Sequence, residues 1–381
     1  MTARGFYTLF FGALMLFTAL SVSSAGAFLL GAAALICCLF SLLCVLIPRC
    51  FLRVTQDMPE KEVLRGGVCR YVLRLLLPFP APIAPVSVKL YLPGGKTSEL
   101  SLSTKLLGET VSENRFACPH VGVYPVGITQ LVFSDCFGLF SLKRTIKTPL
   151  SQLIVLPRPA VVKALSFSPG EGESSAAQRA QADHSTPEDV RSWQDGDELK
   201  RVHWKLSARK QTLMVHTYET PQRPDALLLL NASLPETADA QRPVLTDALT
   251  EVTAGTAKVL LDAGRLTRLP LSGTVKDELS GQNPEALPAI YRALALEGFT
   301  EKADFSRVLW DSARRTRRTG SIAIISAELT PAIADAALAL TRMGPRARFT
   351  LITPGEASEP QRQLLTLLQS SGMETAHIKA C

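Results

Sequence analysis

Two long stretches without a single charge, Gly5 to Val22 and Gly26 to Ile47, constrain this chain more than any other feature. Each is about long enough to cross a hydrocarbon core of ~30 Å at 1.5 Å of helix per residue. Only Ser23-Ser24-Ala25 separates them, which leaves room for a tight turn and nothing more. Arg4 precedes the first run, and Arg49 and Arg53 follow the second. Positive charge stays on the cytoplasmic side, so both ends of the pair are expected there and the turn outside. A cleaved signal sequence ending at Ala25-Gly26-Ala27 is the rival reading. Under it the second run still carries Arg49 and Arg53 inward, and the bulk of the chain faces the same compartment.

The 381 residues leave room for two or three compact domains beyond such an anchor. A net charge of +7 favours anionic surfaces, lipid headgroups among them. Cys37, Cys38 and Cys44 lie in the second apolar run and Cys50 follows it, while Cys69, Cys118, Cys136 and Cys381 are scattered without a CxxC pair. That spacing suits neither a disulfide framework nor a zinc site and points to free thiols in a reducing compartment.

From about residue 52 to 160, short alternating runs broken by Pro and Gly predict a small antiparallel sandwich. They include Arg70 to Leu75, Val86 to Leu92, Ser98 to Leu102, Arg115 to Cys118, Tyr124 to Phe133 and Leu139 to Ile146. Gly94-Gly95-Lys96-Thr97 contains a phosphate-loop fragment, but Leu90 stands where that loop needs its first glycine, so a hairpin turn is expected instead. Ser166 to Ala182 reads as a linker. Beyond Asp225, strand-like runs (Ala226 to Leu230, Leu266 to Leu271, Ile322 to Ile325, Phe349 to Ile352) alternate with helix-like ones (Val244 to Leu260, Pro284 to Leu296, Asp304 to Thr316, Pro331 to Met343, Gln361 to Leu368). This pattern predicts a doubly wound parallel sheet with ligand positions beyond its strand ends, after Leu230 and Ile325.

The densest polar stretch runs from Arg191 to Arg209. Alternation would place Val202, Trp204 and Leu206 on one face of a strand, with His203 and Lys205 on the other. His203 and Ser207 have the residue types of a general base and a nucleophile, but catalysis needs the base aimed at the nucleophile, and no complete constellation is legible. Arg314, Arg315, Arg317 and Arg318 end an expected helix, where cations complement the helix dipole. Without an aromatic-lined groove or a known motif, an anionic lipid or acidic partner suits them better than nucleic acid.

The order Arg191, Trp193, Gly196-Asp197, Arg201, Val202, Trp204-Lys205, Ser207-Ala208-Arg209 resembles the signature of the bacterial family known as domain of unknown function 58, with Trp193 in place of the usual Tyr. Ser134-Asp135-Cys136-Phe137-Gly138-Leu139-Phe140 is similar to that family's Asp-Pro-Phe-Gly-Leu-Phe element, Cys136 replacing Pro. The resemblance implies a von Willebrand factor A-like C-terminal domain. It also implies an association with MoxR-type AAA+ ATPases and transglutaminase-like membrane proteins. A metal-binding A domain carries Asp-x-Ser-x-Ser after its first strand, because Mg²⁺ requires hard oxygen ligands with a carboxylate among them. Here that stretch is Asn231-Ala232-Ser233-Leu234-Pro235, and Ala327 follows the later strand. Asn231 and Ser233 are therefore expected to form a degenerate loop without metal.

The organisation expected is a transmembrane hairpin over 1–50, a β-rich domain over 51–160, a linker and signature segment over 161–224, and an α/β domain over 225–381. The function expected is a non-enzymatic scaffold or adaptor of the bacterial inner membrane with its body in the cytoplasm, without cofactor and without nucleic acid. Its partner-binding candidates are Arg191, Trp193, Gly196, Asp197, Arg201, Trp204, Lys205, Ser207 and Arg209. The alternative is a hydrolase-like enzyme using the His203 region.

Overall fold

The computed structural model describes residues 2–22, 24–78, 85–95, 97–103, 105, 108–146, 149–162, 189–194, 202–217, 225–235, 240–271, 278–299, 304–313 and 319–380. The expected linker from Ser166 to Ala182, the arginines at 314, 315, 317 and 318, and Gly196, Asp197 and Arg201 lie outside them. The chain divides into two compact units, Met1–Leu156 and Pro157–Cys381.

The first unit opens with helices α1 (Ala3–Val22) and α2 (Ala25–Phe51). Both are long and apolar enough to cross a membrane, and only 17% and 28% of their most apolar windows are buried, which is not how the core helices of a folded body sit. Phe6, Phe10, Phe17, Phe28, Leu29 and Phe40 point outward. Small residues set the crossing: a Cβ on Gly31 would come within 2.9 Å of the Leu16 backbone, so glycine lets the two helices close up. The Ser24 hydroxyl accepts from the Ala27 N–H and starts α2 at the turn.

Helix α2 runs past Ile47, where the apolar run stops, through Pro48 to Phe51. Its last turns are held by packing, because Val45 and the capping Leu52 belong to the core of the strands that follow, with Leu42 and Ile47 packed against them. Strands β1 (Arg53–Asp57), β2 (Glu62–Leu64), β3 (Val68–Leu77), β4 (Pro85–Tyr91), β5 (Thr97–Ser103), β6 (Gly108–Ala117), β7 (Gly122–Ser134), β8 (Ser141–Thr145) and β9 (Ser151–Leu156) make two sheets. One has the order β1-β3-β6; the other has β2-β9-β7-β4-β5, with β8 also on β7. All pairings are antiparallel except that of β2 with β9. Period-2 alternation sends Tyr71, Leu73, Leu75 and Leu77 of β3, and Val86, Val88 and Leu90 of β4, into one shared core. The phosphate-loop fragment falls in the β4–β5 hairpin, where Gly94 (φ 79°) and Gly95 (φ 74°) supply the left-handed turn; Lys96 is outside the described residues.

In the second unit, strands β12 (Asp225–Leu230), β13 (Thr267–Pro270), β14 (Glu278–Gly281), β15 (Thr319–Ser326), β16 (Arg346–Thr353) and β17 (Glu374–Lys379) form a sheet of order β14-β13-β12-β15-β16-β17. It is parallel except for β14, which pairs antiparallel with β13. Every residue of β12 and β15 is buried, as in a strand covered on both faces. Leu227, Leu229, Ile322 and Ile324 pack beneath α6 (Phe305–Ala313), α7 (Pro331–Arg342) and α8 (Glu359–Ser370). Leu228, Leu230, Ala323 and Ile325 pack beneath α4 (Arg242–Asp262) and α5 (Leu287–Leu296).

Helix α4 is buried well beyond its Leu and Val stripe, because residues 158–162 cross its other side. The Ala160 N–H donates to the Glu251 carbonyl at 3.0 Å, and the Ala160 carbonyl lies where a Cβ on Gly255 would be.

Candidate functional site

Two places in the second unit gather the sequence-predicted residues. The first is the signature segment. Strand β10 (Asp189–Ser192) pairs antiparallel with β11 (Met214–Thr217), setting Arg191 opposite Val215 and Ser192 opposite Met214. The Trp193 N–H donates to the Leu213 carbonyl at 2.8 Å, and the His203 N–H to the Met214 carbonyl at 2.8 Å. The strand expected from Val202 to Leu206 is not what forms. Val202 makes a single β-bridge to Val215, and helix α3 (Trp204–Lys210) begins directly after His203. Its cause is local. The His203 Nδ1 accepts from the Leu206 N–H at 3.2 Å and caps the helix, while Lys205, Leu206, Ala208, Arg209 and Lys210 are all good helix formers. Gln211 ends it in the left-handed region at φ 54°.

Ser207 decides how α3 is held. Its buried Oγ accepts from the Met214 N–H at 2.9 Å and lies 3.0 Å from the His203 carbonyl, to which it donates. The hydroxyl therefore joins helix to hairpin, and His203 Nδ1 is aimed at backbone and not at Ser207. These geometries serve structure. Val202 and Ser207 face inward, whereas Lys205 and Arg209 are exposed and Trp204 is 64% exposed. Among the described signature residues, Val202 and Ser207 thus help to build the platform, while Trp204, Lys205 and Arg209 turn outward.

The second place is the sheet's switch point. In the order β14-β13-β12-β15-β16-β17 the direction of winding reverses between β12 and β15, which is where open α/β sheets place ligands. Asn231 and Ser233, just past β12, stand there. Asn231 Nδ2 donates to Ser326 Oγ at 2.9 Å, and Asn231 Oδ1 accepts from both the N–H (3.0 Å) and the Oγ of Ser233. Ser326 Oγ donates in turn to the Glu328 carbonyl at 2.6 Å and accepts the Glu328 N–H at 3.1 Å. Asn231 and Ser326 are both 0% exposed. An amide suits this place because it donates and accepts at once, which an ionised carboxylate does not. Among the described residues no three His, Cys, Asp or Glu side chains gather as a metal-binding group.

A third arrangement was present in the sequence only as a family element. In the first unit the Asp135 carboxylate accepts from the N–H groups of Phe137 (3.2 Å), Leu139 (3.2 Å) and Phe140 (2.8 Å), and from the Ser41 hydroxyl on α2. Burial alone would raise its pKa, but the bonds from Ser41, Phe140 and Leu139 outweigh it and hold the carboxyl below its ordinary value. Ser41 was legible only as a polar residue inside an apolar run.

A family model described as "Protein of unknown function DUF58" matches residues 189–380. The chain belongs to the DUF58 family. None of the curated proteins matches this DUF58 chain. Among solved structures, a CARDB domain in complex with di-metal ions from Pyrococcus furiosus is similar at 14% identity, over 28% of this chain and 87% of that one, with a TM-score of 0.20. The sporulation control protein Spo0M from Bacillus subtilis is similar at 9% identity, over 38% and 58%, with a TM-score of 0.17. Cwp6 from Clostridium difficile is similar at 9% identity, over 85% and 49%, with a TM-score of 0.19. These likenesses are too slight to speak for fold or function.

Proposed function

We propose that this DUF58 protein is a scaffold or adaptor held in a bacterial inner membrane by the α1–α2 hairpin, with its body in the cytoplasm. It presents the signature segment to a MoxR-type AAA+ ATPase that acts on envelope-associated proteins, with a transglutaminase-like membrane protein as a further partner. Arg4, Arg49 and Arg53 at one end of the hairpin support the orientation. The strand order and the Asn231–Ser233 loop support a von Willebrand factor A-like second unit that works without a metal, since the Ser233 hydroxyl and the Asn231 amide are spent on each other and on Ser326.

The observation that carries the proposal is Trp204. A large aromatic held on a fastened helix, 64% exposed and flanked by Lys205 and Arg209, has the composition of an interface anchor. Full-length protein extracted in detergent should co-purify an AAA+ ATPase, and Trp204→Ala should abolish that while leaving the melting temperature unchanged. Full retention of the ATPase by Trp204→Ala and by a Lys205→Glu/Arg209→Glu double variant would sink the reading.

A further inference from the structure

The hairpin and the β-sheets of the first unit meet at Ser41 of α2 and at the start of α1, where both touch the turn after β7. Helix α1 is about 30 Å long, and α2 from Ala25 to Ser41 covers roughly 25 Å, both near the hydrocarbon thickness of ~30 Å. Beyond Ser41, one face of α2 turns to protein, Leu42, Val45, Ile47 and Leu52 joining the core that also holds Leu139 and Phe140, while Leu43, Leu46 and Phe51 on the other face stay exposed.

The turn from Asp135 to Phe140 is pinned at this boundary from both helices. Ser41 of α2 bonds Asp135. From the start of α1, the Thr2 Oγ1 donates toward the carbonyls of Gly138 and Leu139 at 2.7 Å, and the Thr2 N–H donates to the Leu139 carbonyl at 3.1 Å. Gly5 comes so close to that carbonyl that a Cβ there would lie 2.2 Å from it. Arg144, in β8 just after the turn, donates to the carbonyls of Arg49 and Leu52 at 3.0 Å and closes the C-terminal end of α2.

With its backbone held, the turn leaves one large apolar side chain outside: Phe137 is 56% exposed while Leu139 and Phe140 are buried. The turn that carries it lies against Thr2 and Gly5 at the start of α1, and Phe6, Tyr7 and Phe10 in the first two turns of that helix are exposed as well. Large apolar side chains are thus exposed both on the hairpin and on the turn that adjoins it. A buried Asp with several donors fixes the loop, so little conformational entropy is lost when the ring leaves water.

We propose that Phe137 inserts into the headgroup–acyl boundary of the same bilayer the hairpin crosses, so that the β-sheet unit sits against the membrane as a rigid extension of its anchor. This rests on the hairpin reading above. Aromatic rings favour that depth, and Arg4 at the start of α1 suits the phosphates there.

The test uses the full chain in vesicles of phosphatidylcholine and phosphatidylglycerol whose acyl chains are brominated, read as tryptophan emission relative to the unsubstituted protein. Three single variants are compared at exposed positions. Phe10→Trp lies on the hairpin. Val68→Trp lies at the end of β3 away from it, because β1 leaves α2 pairing Arg53 with Leu76 and runs toward Val72. Phe137→Trp reports on the turn. Quenching and a blue shift for Phe10→Trp and Phe137→Trp, with neither for Val68→Trp, is the expected result. Quenching at Phe10→Trp alone would overturn the insertion of Phe137 and leave the anchor standing. Quenching at none of the three would remove the anchor, and the insertion with it. Matching melting temperatures for the variants establish that each is folded.

Discussion

The Ser41 hydroxyl, set within an apolar helix, donates to the buried carboxylate of Asp135 in the turn after β7, 94 residues away in the chain. A hydrogen bond to a charged acceptor contributes about 1.5–3 kcal/mol, and here three backbone donors share the same acceptor. The bond joins the part of the chain that suits a membrane to the part that suits water.

Replacing Asp135 with Ala should therefore lower the stability of the first unit by roughly 2–3 kcal/mol, since it strands buried N–H groups as well as Ser41. Thermal unfolding in detergent at neutral pH would measure it. A loss below about 0.5 kcal/mol would mean that the turn holds itself without the carboxylate.

The same carboxylate makes a prediction about acid. Its pKa is depressed in the folded state, so its contribution is complete above the ordinary carboxylate value of 3.8 and is lost as pH falls through the folded value. Melting temperature should fall more steeply below pH 4 in the parent protein than in Asp135→Asn, which cannot ionise. Parallel curves would refute the assignment.

Ser207→Ala should cost about 1–3 kcal/mol, because the Met214 N–H loses its acceptor inside the protein. Amide exchange at Met214 would rise with it. Trp204→Ala, three residues earlier, should stay within about 0.5 kcal/mol of the parent. The contrast between the two is the measurement: equal destabilisation would mean that Trp204 is part of the platform.

At the switch point, Asn231→Ala should destabilise by about 1–3 kcal/mol, because the bonds from Asn231 to Ser326 and Ser233 are lost inside the protein. Titration of the parent protein with Mg²⁺ in a calorimeter should give no saturable heat in the micromolar range. Micromolar binding would show that the loop opens to take a cation.

Gly5→Ala should disturb the first unit although alanine is the better helix former. The added methyl meets the Leu139 carbonyl, and overpacking of this kind costs about 1–3 kcal/mol. An unchanged melting temperature would mean that α1 docks less closely on the turn.

Much of the architecture was legible because it depends on composition along the chain. The two uncharged runs are the two helices, and the buried runs at Ala226 to Leu230 and Ile322 to Ile325 are the central parallel strands. The signature from Arg191 to Arg209 was legible as family identity, but its conformation was not. Five alternating residues from Val202 to Leu206 suit a strand as well as they suit the start of a helix. The choice fell to His203 and Ser207, whose bonds run to Leu206 and Met214.

The amino-acid sequence by itself determined which segments avoid water and with what period, since side-chain polarity and backbone sterics act locally and are written residue by residue. Tertiary structure alone decided which polar atoms meet: Ser41 with Asp135, Ser207 with Met214, Asn231 with Ser326. Hydrogen bonds act over about 3 Å and demand alignment, so partners nearly a hundred residues apart are chosen only once the packing of apolar faces has brought their backbones together.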